Sequence, residues 1–217
     1  MNGAAPPPLS PPPQQQPLRQ VFLVDDQPAI LKALARLLAS AGFAVAPYGS
    51  AQAFLASGNA AAPGCLVLDL SMPDMDGMAL QQALAAQGSV LPLIFLTGHG
   101  DIASGVRAMK QGAFDFLTKP VDADKLVAAV QAALERNVQL RSEDAERDAL
   151  RLRYGSLTPR EREVMALLVE GLLNKQVAAE LGTVEKTVKV HRARVMAKMQ
   201  VRSLTALVRL ADRLRTP

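Results

Sequence analysis

The chain has 217 residues, 49% of them apolar, no tryptophan, one cysteine and a formal net charge of +4. That length fits one or two domains, and the lone Cys65 excludes an internal disulfide framework and fits a small core residue in a reducing compartment. No apolar run approaches the roughly 18 residues of a membrane span, so no membrane partner is expected and the chain reads as cytoplasmic.

Residues 1–19 hold seven prolines and the tract Gln14-Gln15-Gln16, without the cationic start or apolar block of a secretion signal. They read as a disordered, partly polyproline-II tail. From residue 20, apolar runs predict strands at Val21-Phe-Leu-Val leading into Asp25-Asp26, at Cys65-Leu-Val-Leu-Asp69, at Leu93-Ile-Phe-Leu-Thr97 and at Phe114-Asp-Phe-Leu-Thr-Lys119-Pro120. A weaker run covers 43–46. Each is short enough for a strand buried on both faces. Helical periodicity fills the gaps at 28–41, 51–57, 78–87, 102–111 and 122–140. The alternation predicts an α/β fold, a doubly wound five-stranded parallel sheet with right-handed crossovers, over 20–139.

Residues 141–153 alternate in charge and suit an exposed helical extension or a solvated linker, so the domain junction is placed at 140–156. Leu157-Thr158-Pro159-Arg160-Glu161 then reads as a helix start, with Thr158 as N-cap, proline in the first turn and Glu161 closing a capping box. A short helix at 174–181, a glycine turn at Gly182-Thr183-Val184, a longer helix at 185–199 and a last one at 203–214 make a second, smaller all-α helix-turn-helix domain over 157–217. Charge divides along the same line. Residues 20–139 carry seven basic against ten acidic side chains, and 140–217 sixteen against ten. Within 186–217 there are nine basic residues and one acid, Asp212, which points to a polyanion partner for the second domain alone.

In parallel sheets ligands bind at the carboxyl ends of the strands, where Asp25, Asp26, Asp69, Thr97 and Lys119 all fall. Three carboxylates held together repel unless a hard cation joins them, and Mg²⁺ suits such a set. An aspartate beside that ion can act as a nucleophile toward phosphorus. Lys119 can neutralise one phosphoryl oxygen and Thr97 can donate to another. A single strand-end aspartate is most often a turn or cap residue; five such groups in register are not.

These residues resemble a receiver domain of two-component signalling, with a flavodoxin-like fold, over about residues 20–138. The match runs through Asp25-Asp26, Asp69 within Asp-Leu-Ser-Met-Pro-Asp-Met-Asp-Gly77, Thr97 and Lys119-Pro120. The resemblance implies Asp69 as phospho-acceptor, Asp26, Asp69 and the Ser71 backbone carbonyl as direct metal ligands, and Asp25 as a ligand mainly through water. It also implies Thr97 as switch hydroxyl, Phe116 as switch aromatic, Lys119 as phosphate-pairing cation and a cis bond before Pro120. His99 lies beside the crevice; a loop or cap role is favoured over orienting hydrolytic water.

Residues 157–213 resemble the LuxR-type helix-turn-helix of the NarL/FixJ transcription factors, through Leu-Thr-Pro-Arg-Glu-Arg-Glu-Val164, Gly171, Asn174-Lys175, Val177-Ala178, Leu181-Gly182, Thr187-Val-Lys-Val-His191 and Ser203-Leu204. The motif Thr97-Gly-His-Gly-Asp101 and the length favour the FixJ-like subgroup. Two departures are Leu173, where a capping hydroxyl is usual, and Thr183, commonly apolar. Val188, Val195 and Met199 are expected in the core. By resemblance Lys189 and Val190 face bases, and Lys175, Lys186, Arg192, Arg194 and Lys198 contact phosphates. The two halves read together as a phosphorylation-switched transcription regulator, non-enzymatic apart from slow self-dephosphorylation. Its expected partners are a sensor histidine kinase, double-stranded DNA, a second copy of the chain on phosphorylation, and RNA polymerase. Two rivals stand beside it. One is a regulator that binds DNA constitutively. The other is a Mg²⁺-dependent phosphatase, which lacks a second acid two residues after Asp69, where Ser71 stands, and leaves 157–213 unexplained.

Overall fold

The computed structural model describes residues 20–98 and 102–215. The Pro-rich segment 1–19, His99 and the Gly100-Asp101 end of the motif after Thr97 lie outside the described residues. The chain divides into two compact units between Leu140 and Arg141.

In the first unit the strands are β1 (Gln20–Val24), β2 (Ala44–Tyr48), β3 (Cys65–Asp69), β4 (Leu93–Thr97) and β5 (Asp115–Thr118). They form one sheet in the order β2-β1-β3-β4-β5, with every neighbouring pair parallel. Central β3 and β4 are buried at every position, which is why they read as unbroken apolar runs. Alternate residues along the strands feed two cores. Phe22, Leu66, Leu68 and Phe95 face α2 (Ala51–Ala56), α3 (Gly77–Ala86) and α4 (Ile102–Lys110). Val21, Leu23, Val67, Ile94 and Leu96 face α1 (Pro28–Ser40) and the first turns of α5 (Ala123–Gly155). This is the two-residue period of a strand displayed on two faces.

Two boundaries differ from the sequence reading. β2 starts one residue later and runs two residues further, through Pro47 and Tyr48. It is an edge strand, half exposed, so a proline that donates no hydrogen bond is tolerated there. The other difference is larger: α5 continues without a break to Gly155. Within the second unit its Leu150 is 3% exposed and packs with Leu157, Met165, Val195, Met199 and Leu207. Residues 141–155 therefore contribute to a hydrophobic core as well as carrying solvated charge.

The second unit continues with α6 (Pro159–Val169), α7 (Asn174–Glu180), α8 (Glu185–Lys198) and α9 (Leu204–Arg215). The capping box at the start of α6 is formed: Thr158 Oγ1 accepts from Glu161 N, and Glu161 Oε2 accepts from Thr158 N. Gly171, at φ +94°, and Gly182, at φ +60°, supply the left-handed turns that end α6 and separate α7 from α8. Val164, Leu168, Val177, Ala178 and Val188 make the core between the three helices. Among the described residues no helix is long and apolar enough to cross a membrane.

Candidate functional site

Strand β1 has β2 on one side and β3 on the other, so successive connections leave it in opposite directions and open a crevice at the carboxyl ends of β1 and β3. Asp25 and Asp26 follow β1, and Asp69 is the last residue of β3. One carboxylate oxygen from each lies within 4.8 Å of the others; Asp25 and Asp69 are buried and Asp26 is exposed. Two orienting bonds come from the local backbone. Gln27 N donates to Asp25 Oδ1 at 2.9 Å, and Ser71 N donates to Asp69 Oδ1 at 3.3 Å.

Lys119, just beyond β5, reaches across the sheet. Its Nζ lies 2.7 Å from Asp25 Oδ2 and 2.8 Å from Asp69 Oδ2. Burial pulls the Lys119 pKa down, but the hydrogen bonds to Asp25 and Asp69 outweigh it and hold the ammonium above its ordinary value. Among the described residues one cation still faces three carboxylates. Two carboxylates no more than 4.8 Å apart repel by at least about 3 kcal/mol at an effective dielectric near 20. A hard divalent cation relieves that repulsion, and the all-oxygen donors around an exposed Asp26 fit Mg²⁺ with water completing its shell.

The switch candidates surround this cluster. Thr97, the end of β4, is buried, and its Oγ1 donates to the Gly98 carbonyl at 3.0 Å. Lys119 N donates to Thr97 O at 2.7 Å, which ties the lysine-bearing loop to β4. The peptide between Lys119 and Pro120 is cis. Phe116 is partly buried against the core beneath α4, and a Cβ added at Gly105 would sit 3.1 Å from its ring. Gly77 closes the motif that follows Asp69 and is the first residue of α3. A Cβ there would lie 2.7 Å from the Asp69 carbonyl oxygen and 2.8 Å from the Phe95 ring, so glycine lets α3 start directly beneath the acceptor. That close approach is set by tertiary packing and leaves no local signal.

In the second unit α8 buries Val188 and Val195, with Met199 just past its end, and presents the opposite face. Lys175, Lys186, Lys189, Val190 and Arg194 are exposed, Val190 at 46%. Lys189 pairs with Glu185 one turn back at 2.9 Å, an exposed pair worth a few tenths of a kcal/mol. Two residues expected at the phosphate border direct their charge inward. Arg192 Nη1 donates to Asn174 Oδ1, joining α8 to the start of α7. Lys198 Nζ lies 2.6 Å from Glu161 Oε2 and also donates to the Ser156 carbonyl at 3.0 Å. The Lys198 hydrogen bond, followed by the Thr158 backbone donor, holds the buried Glu161 carboxyl down to about 2. Arg160 was not singled out from the sequence, yet its Nη2 donates to the last carbonyl of the α7 turn, Leu181, at 2.6 Å. An arginine beside a capping box gives no hint of a partner 21 residues away.

Comparison with known proteins agrees with this division. Residues 21–131 match the family of the response regulator receiver domain, and residues 155–211 match bacterial regulatory proteins of the luxR family. The chain is 44% identical over 195 residues to the response regulator protein TodT of Pseudomonas putida, covering 90% of this chain and 86% of that one. It is 46% identical over 192 residues to the transcriptional regulatory protein FixJ of Azorhizobium caulinodans, covering 88% and 90%. Among solved structures the response regulator StyR is similar at a TM-score of 0.80, with 45% identity over 89% of this chain and 98% of that one.

Proposed function

Because the chain belongs to the two-component response regulators that join a receiver to a LuxR-type DNA-binding domain, we propose that phosphorylation of Asp69 switches the DNA binding of residues 157–217. The observation that carries this reading is the overcharged crevice: three carboxylates against the single ammonium of Lys119 at the switch point of a parallel sheet.

Asp69 Oδ attacks the phosphorus of a phosphohistidine on a sensor kinase, or of a small phosphodonor. A P–O bond forms, the P–N or P–O bond to the donor breaks, and the electron pair leaves with the donor. Asp26, Asp69 and the Ser71 carbonyl, with Asp25 beside them, would hold Mg²⁺, which when bound would supply charge neutralisation for the transferring group. Lys119 exchanges its bond with Asp69 for one to a phosphoryl oxygen, and Thr97 turns its hydroxyl from Gly98 to another. Phe116, against Gly105 of α4, follows into the space that Thr97 vacates. The altered face pairs two copies of the chain, and two α8 helices then meet half-sites one helical turn, or a multiple of it, apart. Lys189 and Val190 read bases, Lys175, Lys186 and Arg194 hold phosphates, and Arg192 and Lys198 position the recognition helix.

The test is a footprint on genomic fragments at fixed salt, with and without acetyl phosphate and Mg²⁺, for wild type and Asp69→Asn. Phosphodonor should sharpen protection in the wild type only, and intact-mass analysis should show the adduct only there. Operator binding by Asp69→Asn as tight as that of phosphorylated wild type would refute the switch.

A further inference from the structure

Helix α5 carries one apolar line that lies outside the cores of both units. Leu126, Val130 and Ala133 are buried in the first unit, and Leu150 in the second. Leu152 stands about 200° around the helix from Leu150. At 76% exposed it is the most exposed large apolar side chain among the described residues. Val138, fourteen residues earlier, is 54% exposed, and Ala145, midway between them, is exposed as well. Single exposed apolar residues are ordinary. Three at a strict seven-residue spacing form a seam, because seven residues make almost two full turns.

With Val138, Ala145 and Leu152 as d positions of a heptad, the a positions between them are Ser142 and Ala149. Ser142 is exposed and Ala149 half-buried, so every seam position is apolar or small. The flanks identify what covers it. In a parallel pair of coiled helices, each g residue faces the e residue of the next heptad on the other chain. Here the g residues are Arg141 and Asp148, and the e residues five positions later are Glu146 and Arg153. Both cross-pairs are of opposite sign, Arg141 with Glu146 and Asp148 with Arg153. Within the chain Glu146 uses Oε2 for Arg213 at 3.0 Å, Asp148 meets Arg151 at 3.5 Å, and Arg153 reaches the Met199 carbonyl at 3.5 Å. The two ion pairs are more than half exposed and worth little. A carboxylate has a second oxygen and a guanidinium further donors, which leaves each group able to bond across the seam.

We infer that the face of α5 at 138–152 is an interface with a second copy of the chain, a short parallel coiled coil in register. The seam spans about two heptads, short of the three to four that mark a self-sufficient coiled coil. It therefore closes between copies already held together, where pairing is an intramolecular step. The inference rests on the phosphorylation-driven pairing proposed above, and adds to it the segment that pairs and its orientation.

Cysteine cross-linking reads the register, and Cys65, 0% exposed, should give no background in the wild-type control. Ala145→Cys, Leu152→Cys and Arg147→Cys are each oxidised with diamide in the full-length chain, with and without acetyl phosphate and Mg²⁺. Arg147 is exposed and lies about 200° around the helix from Ala145. With the phosphodonor, both seam variants should form linked dimer at least about tenfold faster than Arg147→Cys, because a seam brings paired β-carbons toward disulfide distance. An antiparallel pair sets at most one of the two seam positions against itself. Charge exchange tests the flanks. Arg141→Glu and Glu146→Arg alone should each weaken the phosphorylated dimer about three- to tenfold in sedimentation. The double exchange should restore it to within about twofold of wild type, which loss of the Arg213 pair could not do. Equal cross-linking at all three positions, cross-linking at one seam position alone, or a double exchange no tighter than the singles overturns the inference. A dimer in sedimentation without seam cross-links also overturns it, and leaves the face to a different partner. Absence of both the phosphoryl adduct and the dimer instead defeats the switch itself, and the inference with it.

Discussion

Each unit contains a lysine bonded to buried carboxylate, and the two arrangements differ in one respect that separates chemistry from architecture. In the second unit Lys198 meets one acid, Glu161, whose other interactions are the backbone and hydroxyl of Thr158 in the α6 capping box. The charges balance and nothing further is wanted. In the first unit Lys119 meets Asp25 and Asp69 with Asp26 beside them, so the site keeps excess negative charge and one exposed carboxylate. A balanced pair holds two elements together, whereas an overcharged cluster at a strand end is held by the surrounding fold and keeps unneutralised negative charge, as the proposed switch requires.

The sharpest way to break this contrast is to remove each lysine in turn. Lys119→Gln should leave the first unit folded yet slow phosphoryl uptake from acetyl phosphate by about 10²–10³-fold, the loss typical of one preorganised charge at a transferring group. Stopped-flow phosphorylation in saturating Mg²⁺ measures it, and an unchanged rate would return Lys119 to a purely structural role. Lys198→Met should do the reverse. It strands Glu161 in a site where it is 2% exposed, and the second unit should lose about 1–3 kcal/mol, less than for a wholly buried pair because the lysine is itself partly solvated. Amide hydrogen exchange in α6 and α8 reads that loss, while phosphoryl uptake should stay at its wild-type rate.

Acid sharpens the same comparison. The Glu161 carboxyl is held down to about 2 against an ordinary 4.5. A depressed folded-state value means the contribution is complete above about 4.5 and disappears as pH falls toward about 2. Thermal melts of the full chain between these limits should show the second unit weakening in that window. In Lys198→Met the same window should be flatter, because the principal cause of the depression is gone. A slope identical in the two proteins would mean that other acids dominate.

How much of this was legible beforehand follows from where each signal resides. β3 and β4 are buried on both faces, so their length and ends appear in the sequence as uninterrupted apolar runs. β2 sits at the edge with Pro47 inside it, where neither alternation nor a continuous run survives. The five crevice residues were visible because parallel topology places strand ends together, a rule that needs no knowledge of side-chain packing. The run 141–155 could not be decided, since charge covers most of its faces and its apolar residues are few; its single deciding residue, Leu150, acquires meaning only from Val195 and Leu207 far along the chain. Lys198 looked like any cation on a recognition helix because its partner, Glu161, lies 37 residues earlier. The buried amides of Gln81 and Asn137 were unreadable for the same reason, as their partners are backbone groups 27 to 73 residues away.

The gentlest perturbation concerns a cap rather than a charge. Leu173 occupies the N-cap of α7 in an extended conformation, at φ −73° and ψ 156°, and its side chain is 70% exposed. Half of a capping box is present there, because Gln176 Oε1 accepts from Leu173 N at 2.7 Å. The forward half is missing, as leucine offers no acceptor to the first turn, and α7 has only seven residues over which to average the deficit. Leu173→Ser should therefore stabilise the second unit by about 0.5–1 kcal/mol, the usual worth of an N-cap hydroxyl. Little apolar burial is lost to offset that gain. Urea denaturation compares the two proteins directly. A lower midpoint in the serine variant would mean that Leu173 makes apolar contacts outweighing a cap, and that the contrast between balanced and unbalanced groups does not extend to uncharged helix ends.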